Sequence, residues 1–179
     1  MQKRLILDGP LLEITISRLC QQLIENHQDF SDSVILGLQP RGIFLAERIH
    51  QKLERLLDKK VRMGLLDITF YRDDFRRRDM PLEANTTSVP FIIENQKVVL
   101  VDDVLFTGRS VRAALDAMIA FGRPSKVELL VLINRRYSRD LPIQADYIGR
   151  NVDTMPSQRV LVGWEKHGAK KDNVWLVNY

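Results

Sequence analysis

Most of the chemistry this sequence could perform is concentrated in one stretch, Asp102-Asp103-Val104-Leu105-Phe106-Thr107-Gly108-Arg109-Ser110. Two adjacent carboxylates accept hydrogen bonds, and a vicinal diol presents two hydroxyl donors at a matching spacing. Thr107 and Ser110 add hydroxyls, and Gly108 lets the backbone approach a ligand closely. A helix that opens after such a turn directs N–H groups at an anion, and its dipole adds about 0.3–1 kcal/mol of preference. These residue types in this order suit a phosphorylated sugar. The plainer alternative is a strand end followed by a helix that Thr107 or Ser110 merely caps. A second anion site is expected at Gly37-Leu38-Gln39-Pro40-Arg41-Gly42. There an Arg-Gly pair opens a helix, and the guanidinium fork of Arg41 suits bidentate contact with phosphate oxygens. Pro40 is compatible with a cis peptide.

Both stretches need strands behind them. Val98–Val101 reads as a buried strand that the paired acids end, and Val34–Leu38 as another. Apolar residues at helical spacing mark helices over 11–27, 43–58 and 110–121, the last closed by Gly122 and Pro124. Residues 61–70 give a longer, partly alternating strand, and 127–133 a buried one. A basic loop from Asn134 to Asp140 follows, then a short strand at Tyr147–Gly149. Val160–Trp164 and Val174–Val177 flank a polar turn and read as a terminal hairpin, which also offers apolar surface for self-association. Strands alternating with helices predict an α/β fold with a parallel sheet, in which ligands bind at the carboxyl ends of strands. Residues 72–90 are polar, charged and proline-containing, which suits a functional loop or a β-hairpin arm.

Composition narrows the setting. The chain has 179 residues with 27 basic and 23 acidic side chains, an excess of four positive charges that permits anionic ligands or RNA without demanding either. No apolar run approaches the roughly 20 residues of a membrane span. Asp8 comes too early for a signal peptide. The single cysteine, Cys20, excludes an internal disulfide framework, and the expected setting is the cytoplasm.

The run Val99–Ser110 resembles the phosphoribosyl-pyrophosphate (PRPP) signature of type I phosphoribosyltransferases. Gly64–Asp74, Asp102–Arg109, Phe121–Pro124 and Leu141–Gly149 together resemble one branch, the pyrimidine-operon attenuator/uracil phosphoribosyltransferase family PyrR, over roughly residues 3–155. The resemblance implies a single type I phosphoribosyltransferase domain over 1–179: a parallel sheet flanked by helices, a mobile active-site loop at 72–90, and a small hood with the C-terminal hairpin in 134–179. It implies that Asp102 and Asp103 hold the ribose hydroxyls, that Val104 and Leu105–Ser110 surround the sugar and its 5′-phosphate, and that Arg41 and Gly42 form the pyrophosphate loop. Arg72 then reaches the pyrophosphate from the lid. Mg²⁺ is expected as an ion carried mainly by pyrophosphate and ribose oxygens.

Asn134 and Arg135 lie where the family builds its base pocket. The family shows an Asp-Arg-Gly turn there, whereas this chain has Asn134-Arg135-Arg136-Tyr137 in a loop about one residue longer. Arg136 would have to take up the positive φ that glycine allows, so the pocket is expected to be reshaped. Ser17, Arg18, Arg139 and Arg150 fall on the family's RNA-binding face, although Gln21 and Gln144 replace a histidine and an arginine usual in it. The implied reaction is conversion of uracil and PRPP to UMP and pyrophosphate, with UMP-responsive binding to pyr leader mRNA and assembly as a homodimer or higher homo-oligomer. Two other readings stay open: a nucleotide-sensing attenuator with little or no enzyme activity, and a transferase for another nucleobase.

Overall fold

Continuous apolar runs such as Val34-Ile35-Leu36 and Val98-Val99-Leu100-Val101 must be covered on both faces, which parallel strands flanked by helices achieve. The computed structural model of the chain, which describes residues 3–72 and 86–178, has that arrangement. Its elements are β1 (Lys3–Leu7), α1 (Gly9–His27), β2 (Ser33–Gln39), α2 (Gly42–Leu57), β3 (Met63–Asp67), β4 (Lys97–Leu105), α3 (Arg109–Met118), β5 (Lys126–Arg136), β6 (Tyr147–Asp153), β7 (Gln158–Gly163) and β8 (Asn173–Asn178). Five strands form a parallel sheet in the order β3-β2-β4-β5-β6. Helices α1 and α2 cover one face through Leu12, Ile16, Leu19, Leu23, Leu45, Ile49 and Leu53. Helix α3 covers the other through Val111, Ala114, Ala117 and Met118.

A second, antiparallel sheet in the order β1-β8-β7 forms the hood. Val160, Val162, Trp164, Val174 and Leu176 join the core on the α1–α2 side. The apolar residues of the terminal hairpin therefore turn mainly inward. The exposed apolar residues include Ile92 and Ile119, on other elements.

Several boundaries differ from those expected, each for a local reason. Helix α1 starts at Gly9 because the Asp8 carboxylate accepts from the Leu11 N–H at 3.0 Å, capping the first turn. Strand β1, unmarked in the sequence, exists because it pairs with β8. Strand β3 ends at Asp67, whose Oδ1 accepts from the Thr69 N–H at 3.0 Å and its hydroxyl at 2.6 Å. The chain there turns into a short 3₁₀ segment that leaves Phe70 exposed. The paired acids do not end β4: Asp102 and Val104 stay in register with Val131 and Ile133, and the strand runs on to Leu105. Asn134–Arg136 likewise extend β5 instead of opening the basic loop, and β6 runs on to Asp153. The left-handed residue after β5 is Tyr137, at φ 61°, and not Arg136. Of the expected loop at 72–90, residues 73–85, with Arg76–Asp79 among them, lie outside the described residues. At its end Ser88 bridges antiparallel to Leu65.

Candidate active site

The carboxyl ends of β2 and β4 lie side by side, so the two glycine-marked loops that follow them converge. The Gln39–Pro40 peptide is cis. Arg41 precedes α2, and its Nε donates to Asp103 Oδ2 at 2.9 Å while its Nη2 donates to the Val162 carbonyl of the hood at 2.8 Å. Asp103 is buried, whereas about half of the Arg41 side chain faces solvent. Gly42 lies so close to β4 that a Cβ there would stand 2.5 Å from the Val101 carbonyl and 2.9 Å from Asp102 Cα. The absence of a side chain at Gly42 is what lets the start of α2 rest against the acids.

Asp102 and Asp103 point apart, as neighbours in a strand must, yet both stay at the same loop junction. Oδ1 of Asp102 accepts from the Asp103 N–H at 2.9 Å. Burial first, and then the neighbouring Asp103 carboxylate, push the Asp102 pKa well above the ordinary carboxylate value. Asp102 therefore keeps its proton to higher pH than an ordinary carboxylate, and Asp103 is held by an arginine.

Beyond Leu105 the chain makes a tight turn. Gly108 sits at φ 91°, against the side chain of Ile143, and immediately precedes α3. The first intrahelical bond runs from the Arg112 N–H to the Gly108 carbonyl at 3.0 Å. The N–H groups of Arg109, Ser110 and Val111 thus have no helical partner, by the geometry of any helix start. A cavity of about 230 Å³ opens there, lined by Arg72, Asp102 and every residue from Val104 to Val111. The turn is braced from the chain beyond β5: Asp140 and Leu141 donate their N–H groups to the Thr107 carbonyl at 3.0 and 3.2 Å, and Asp140 pairs with Arg109 at 3.1 Å. The anchoring role of Asp140 carried no local signal in the sequence, because it depends on a contact between distant loops.

Asn134 and Arg135 leave β5 next to this turn. Asn134 donates to Asn151 Oδ1 at 2.7 Å, and Arg139 donates to its amide oxygen. Arg135 is buried. Its guanidinium lies over the Phe106 ring, 3.7 Å from the centroid, and donates to Thr154 Oγ1 and the Gln158 carbonyl, both at 3.0 Å. It ties the turn before α3 to the hood. Asn134 and Arg135 also border a separate cavity of about 310 Å³ with Arg139, Ile143 and Ile148.

The four residues expected on an RNA face each donate to backbone carbonyls. Ser17 bonds back to the Glu13 carbonyl at 2.8 Å, and Arg18 reaches the Gly149 carbonyl at 2.5 Å. Arg150 donates to the Ile6 carbonyl at 2.7 Å, at the junction of β6 with the hood. The Arg139 guanidinium is bound to carbonyl oxygens of Leu105, Phe106, Arg135 and Ile143. Among the described residues no three His, Cys, Asp or Glu side chains gather around a metal position. One carboxylate with a raised pKa and one paired with arginine make a poor cage for a free ion. The same donors suit an ion that arrives on its substrate, as Mg²⁺ does with phosphate oxygens. No helix among the described residues is long and apolar enough to cross a membrane.

This constellation on a five-stranded parallel sheet defines a class. Residues 4–167 match the phosphoribosyl transferase domain family. The fold is that of hypoxanthine phosphoribosyltransferase from Trypanosoma cruzi, with a TM-score of 0.74 at 14% identity over 98% of this chain and 96% of that one. It is also that of a hypoxanthine-guanine phosphoribosyltransferase from Bacillus anthracis, with a TM-score of 0.68 at 13% identity over 99% of both chains. In sequence the chain is 42% identical to the bifunctional protein PyrR of Bacillus subtilis over 90% of each. It is 41% identical to that of Enterococcus faecalis over 93% of this chain and 92% of the relative. With the PyrR of Streptococcus mutans it shares 40% identity over 99% of this chain and 97% of the relative. The chain belongs to the PyrR family of phosphoribosyltransferases.

Proposed function

We propose that the site transfers the phosphoribosyl group of PRPP to uracil, giving UMP and pyrophosphate, and that the same chain regulates pyrimidine biosynthesis genes by binding their leader mRNA in response to UMP. The observation that carries the enzymatic half is the meeting of two anion sites across adjacent strand ends: the cavity from Val104 to Val111, and Arg41 at the start of α2, with Asp102 and Asp103 between them. Their adjacency suits a ribose that carries a phosphate at one end and a pyrophosphate at the other.

In the reaction the bond from the anomeric carbon to pyrophosphate breaks, a bond from a uracil nitrogen to that carbon forms, and the proton of that nitrogen leaves. Phe106–Ser110 hold the 5′-phosphate on the start of α3. Ribose hydroxyls replace Arg41 as the donors to Asp103, which releases the guanidinium to the pyrophosphate. Asp102, pushed towards its neutral form in the free chain, gains a reason to ionise when hydroxyl donors and positive charge reach it. Both carboxylates then favour the cationic character growing on the ribose, and Arg41 and Arg72 favour the charge developing on the leaving pyrophosphate. Mg²⁺, when bound with the substrate, supplies further neutralisation of that charge. Asn134 and the backbone beside it border the base.

The regulatory half is supported by relatives that are named bifunctional and match nearly the whole chain. Arg18, tethered to the Ile148 and Gly149 carbonyls, and Arg150, tethered to that of Ile6, remain exposed, which suits them to contact phosphates of RNA. A homo-oligomer belongs to the same proposal. The test is incubation of the purified chain with uracil, PRPP and Mg²⁺, alongside titration of pyr leader RNA with and without UMP. Turnover together with UMP-strengthened RNA binding supports both halves. UMP binding without turnover removes the enzyme. Turnover with weak RNA binding that is indifferent to UMP removes the regulator.

A further inference from the structure

The start of α2 is held less by its own residues than by the hood. Among the described residues no side chain caps its first turn, and the Arg41 guanidinium divides its bonds between Asp103 and the Val162 carbonyl. Arg41, Phe44 and Arg48 follow one another at spacings of three and four, which puts all three on one face of the helix. That face meets the turn between β7 and β8. The Phe44 ring stacks on His167, with centroids 3.7 Å apart and planes 22° apart. The Arg48 guanidinium stands over the buried Trp164 ring, 5.0 Å from its centroid, and pairs with Asp172.

The Asp172 carboxylate serves both sides of this contact. Its Oδ2 accepts from Arg48, and its Oδ1 accepts from the Glu165 N–H at 2.7 Å, which closes the turn on itself. Asp172 directly precedes β8, and Val174, two residues on, faces Val162 across the hairpin. One hairpin therefore grips α2 twice, with Val162 at Arg41 and Asp172 at Arg48. The two grips lie about 10 Å apart along the helix. The Arg48 and Asp172 side chains are only 24% and 17% exposed, so water and salt screen their attraction less than that of an ordinary surface pair.

A grip at one point lets helix and hairpin turn about it, and a second grip fixes the angle between them. Asp103 belongs to the parallel sheet and Val162 to the hood, so the guanidinium that spans them stays in place only while sheet, helix and hood keep their relative positions. Without the Arg48–Asp172 pair the two acceptors are free to part, and Arg41 must follow one of them. The pair thus sets where Arg41 stands against the acids from a distance of two helical turns.

We propose that Arg48 and Asp172 are positioning residues of the site, which act through α2 and the hood hairpin to place Arg41 for the pyrophosphate end of PRPP. The pyrophosphate rests on the reaction proposed above; the placement of Arg41 does not. Two variants test it: Arg48→Met, which keeps an apolar stem against Trp164, and Asp172→Asn, which keeps an acceptor for the Glu165 N–H. Placement is read without any ligand from the NMR signal of the Arg41 Nε–H, identified by its loss in Arg41→Ala. That signal is expected to shift in both variants and to stay in place in Asp29→Asn, which breaks the exposed pair with Lys59 beyond the other end of α2. PRPP affinity, measured by calorimetry in the absence of uracil, is expected to fall about tenfold in each variant. The same substitutions added to Arg41→Ala should cost nothing further, because they act through the residue already removed. KM for uracil should stay unchanged, whereas a general loosening of the fold would raise it. An Arg41 signal that does not move overturns the proposal, as do losses that add to that of Arg41→Ala or a raised KM for uracil. A signal that shifts in a chain that neither binds PRPP nor forms UMP upholds the placement of Arg41 by this pair and removes the reaction instead.

Discussion

Replacing Gly42 by alanine tests whether the approach of α2 to β4 sets the geometry of the site. The added Cβ would stand 2.5 Å from the Val101 carbonyl oxygen, 2.9 Å from Asp102 Cα and 3.1 Å from Asp102 Oδ1. The two nearest atoms are backbone in the middle of a parallel sheet, so no side chain can swing away. Ordinary contact requires α2 and β4 to separate by about 0.5–0.9 Å, because repulsion rises steeply below van der Waals distance. That motion stretches the 2.9 Å bond from Arg41 to Asp103 and shifts Arg41 against both acids. Overpacking of this kind costs about 1–3 kcal/mol of stability. A displacement approaching an ångström between groups that must act together costs about 10²-fold in rate, which equals about 2.7 kcal/mol of barrier. Gly42→Ala is therefore expected to lower kcat/KM for PRPP about 10²-fold while the chain stays folded, as followed by UMP formation and by urea unfolding. The control is Gly9→Ala in the first turn of α1, where the nearest atom to the new Cβ lies 3.5 Å away and neither stability nor turnover should fall. A Gly42→Ala chain with wild-type kcat/KM would refute the argument that close backbone approach builds this site.

Asp102→Asn separates function from stability. The folded-state pKa of Asp102 is raised by burial and by Asp103, so its contribution to stability is fully present below the ordinary carboxylate value of 3.8 and is lost as pH rises from there through its own raised value. The asparagine variant is expected to be more stable than wild type in urea at pH 7, to show no such advantage near pH 3.5, and to lose most PRPP-dependent turnover. A variant less stable at pH 7 would contradict the raised pKa. Cys20, buried between α1 and α2, has its thiol pushed up from 9.0 to about 12 by burial. Iodoacetamide at pH 8.5 should react with it about 10²–10³-fold more slowly in the native chain than in urea, because the thiolate is the nucleophile. Stability should be unaffected below about pH 8 and fall as pH rises from 9.0 towards 12, since the folded core tolerates only the protonated thiol. Equal alkylation rates in both states would count against that burial.

The sequence by itself determined whatever depends on neighbours along the chain. The helical spacing of Leu12, Ile16, Leu19 and Leu23 fixed α1, and the apolar runs fixed β2, β4 and β5, because an amphipathic stripe or a fully apolar run has few ways to be buried. The order acid-acid-turn-Thr-Gly-Arg-Ser placed the tight turn ahead of α3, since glycine at φ 91° and a helix start are local properties. The tertiary structure decided what depends on partners far away in sequence. Strand β1 becomes a strand only beside β8. The acids lie inside β4, not at its end, because β5 continues to pair with it past them. Arg135 reads in the sequence as one charge in a basic loop, yet it is buried under Phe106 and bound to the hood, where its charge is balanced by carbonyl, hydroxyl and ring. Arg139 follows the same logic through four backbone carbonyls. A charged side chain has no periodicity that tells solvent from a buried acceptor; only the packing of distant segments supplies those acceptors, and so only the fold could sort the arginines that hold the site together from those left to meet a ligand.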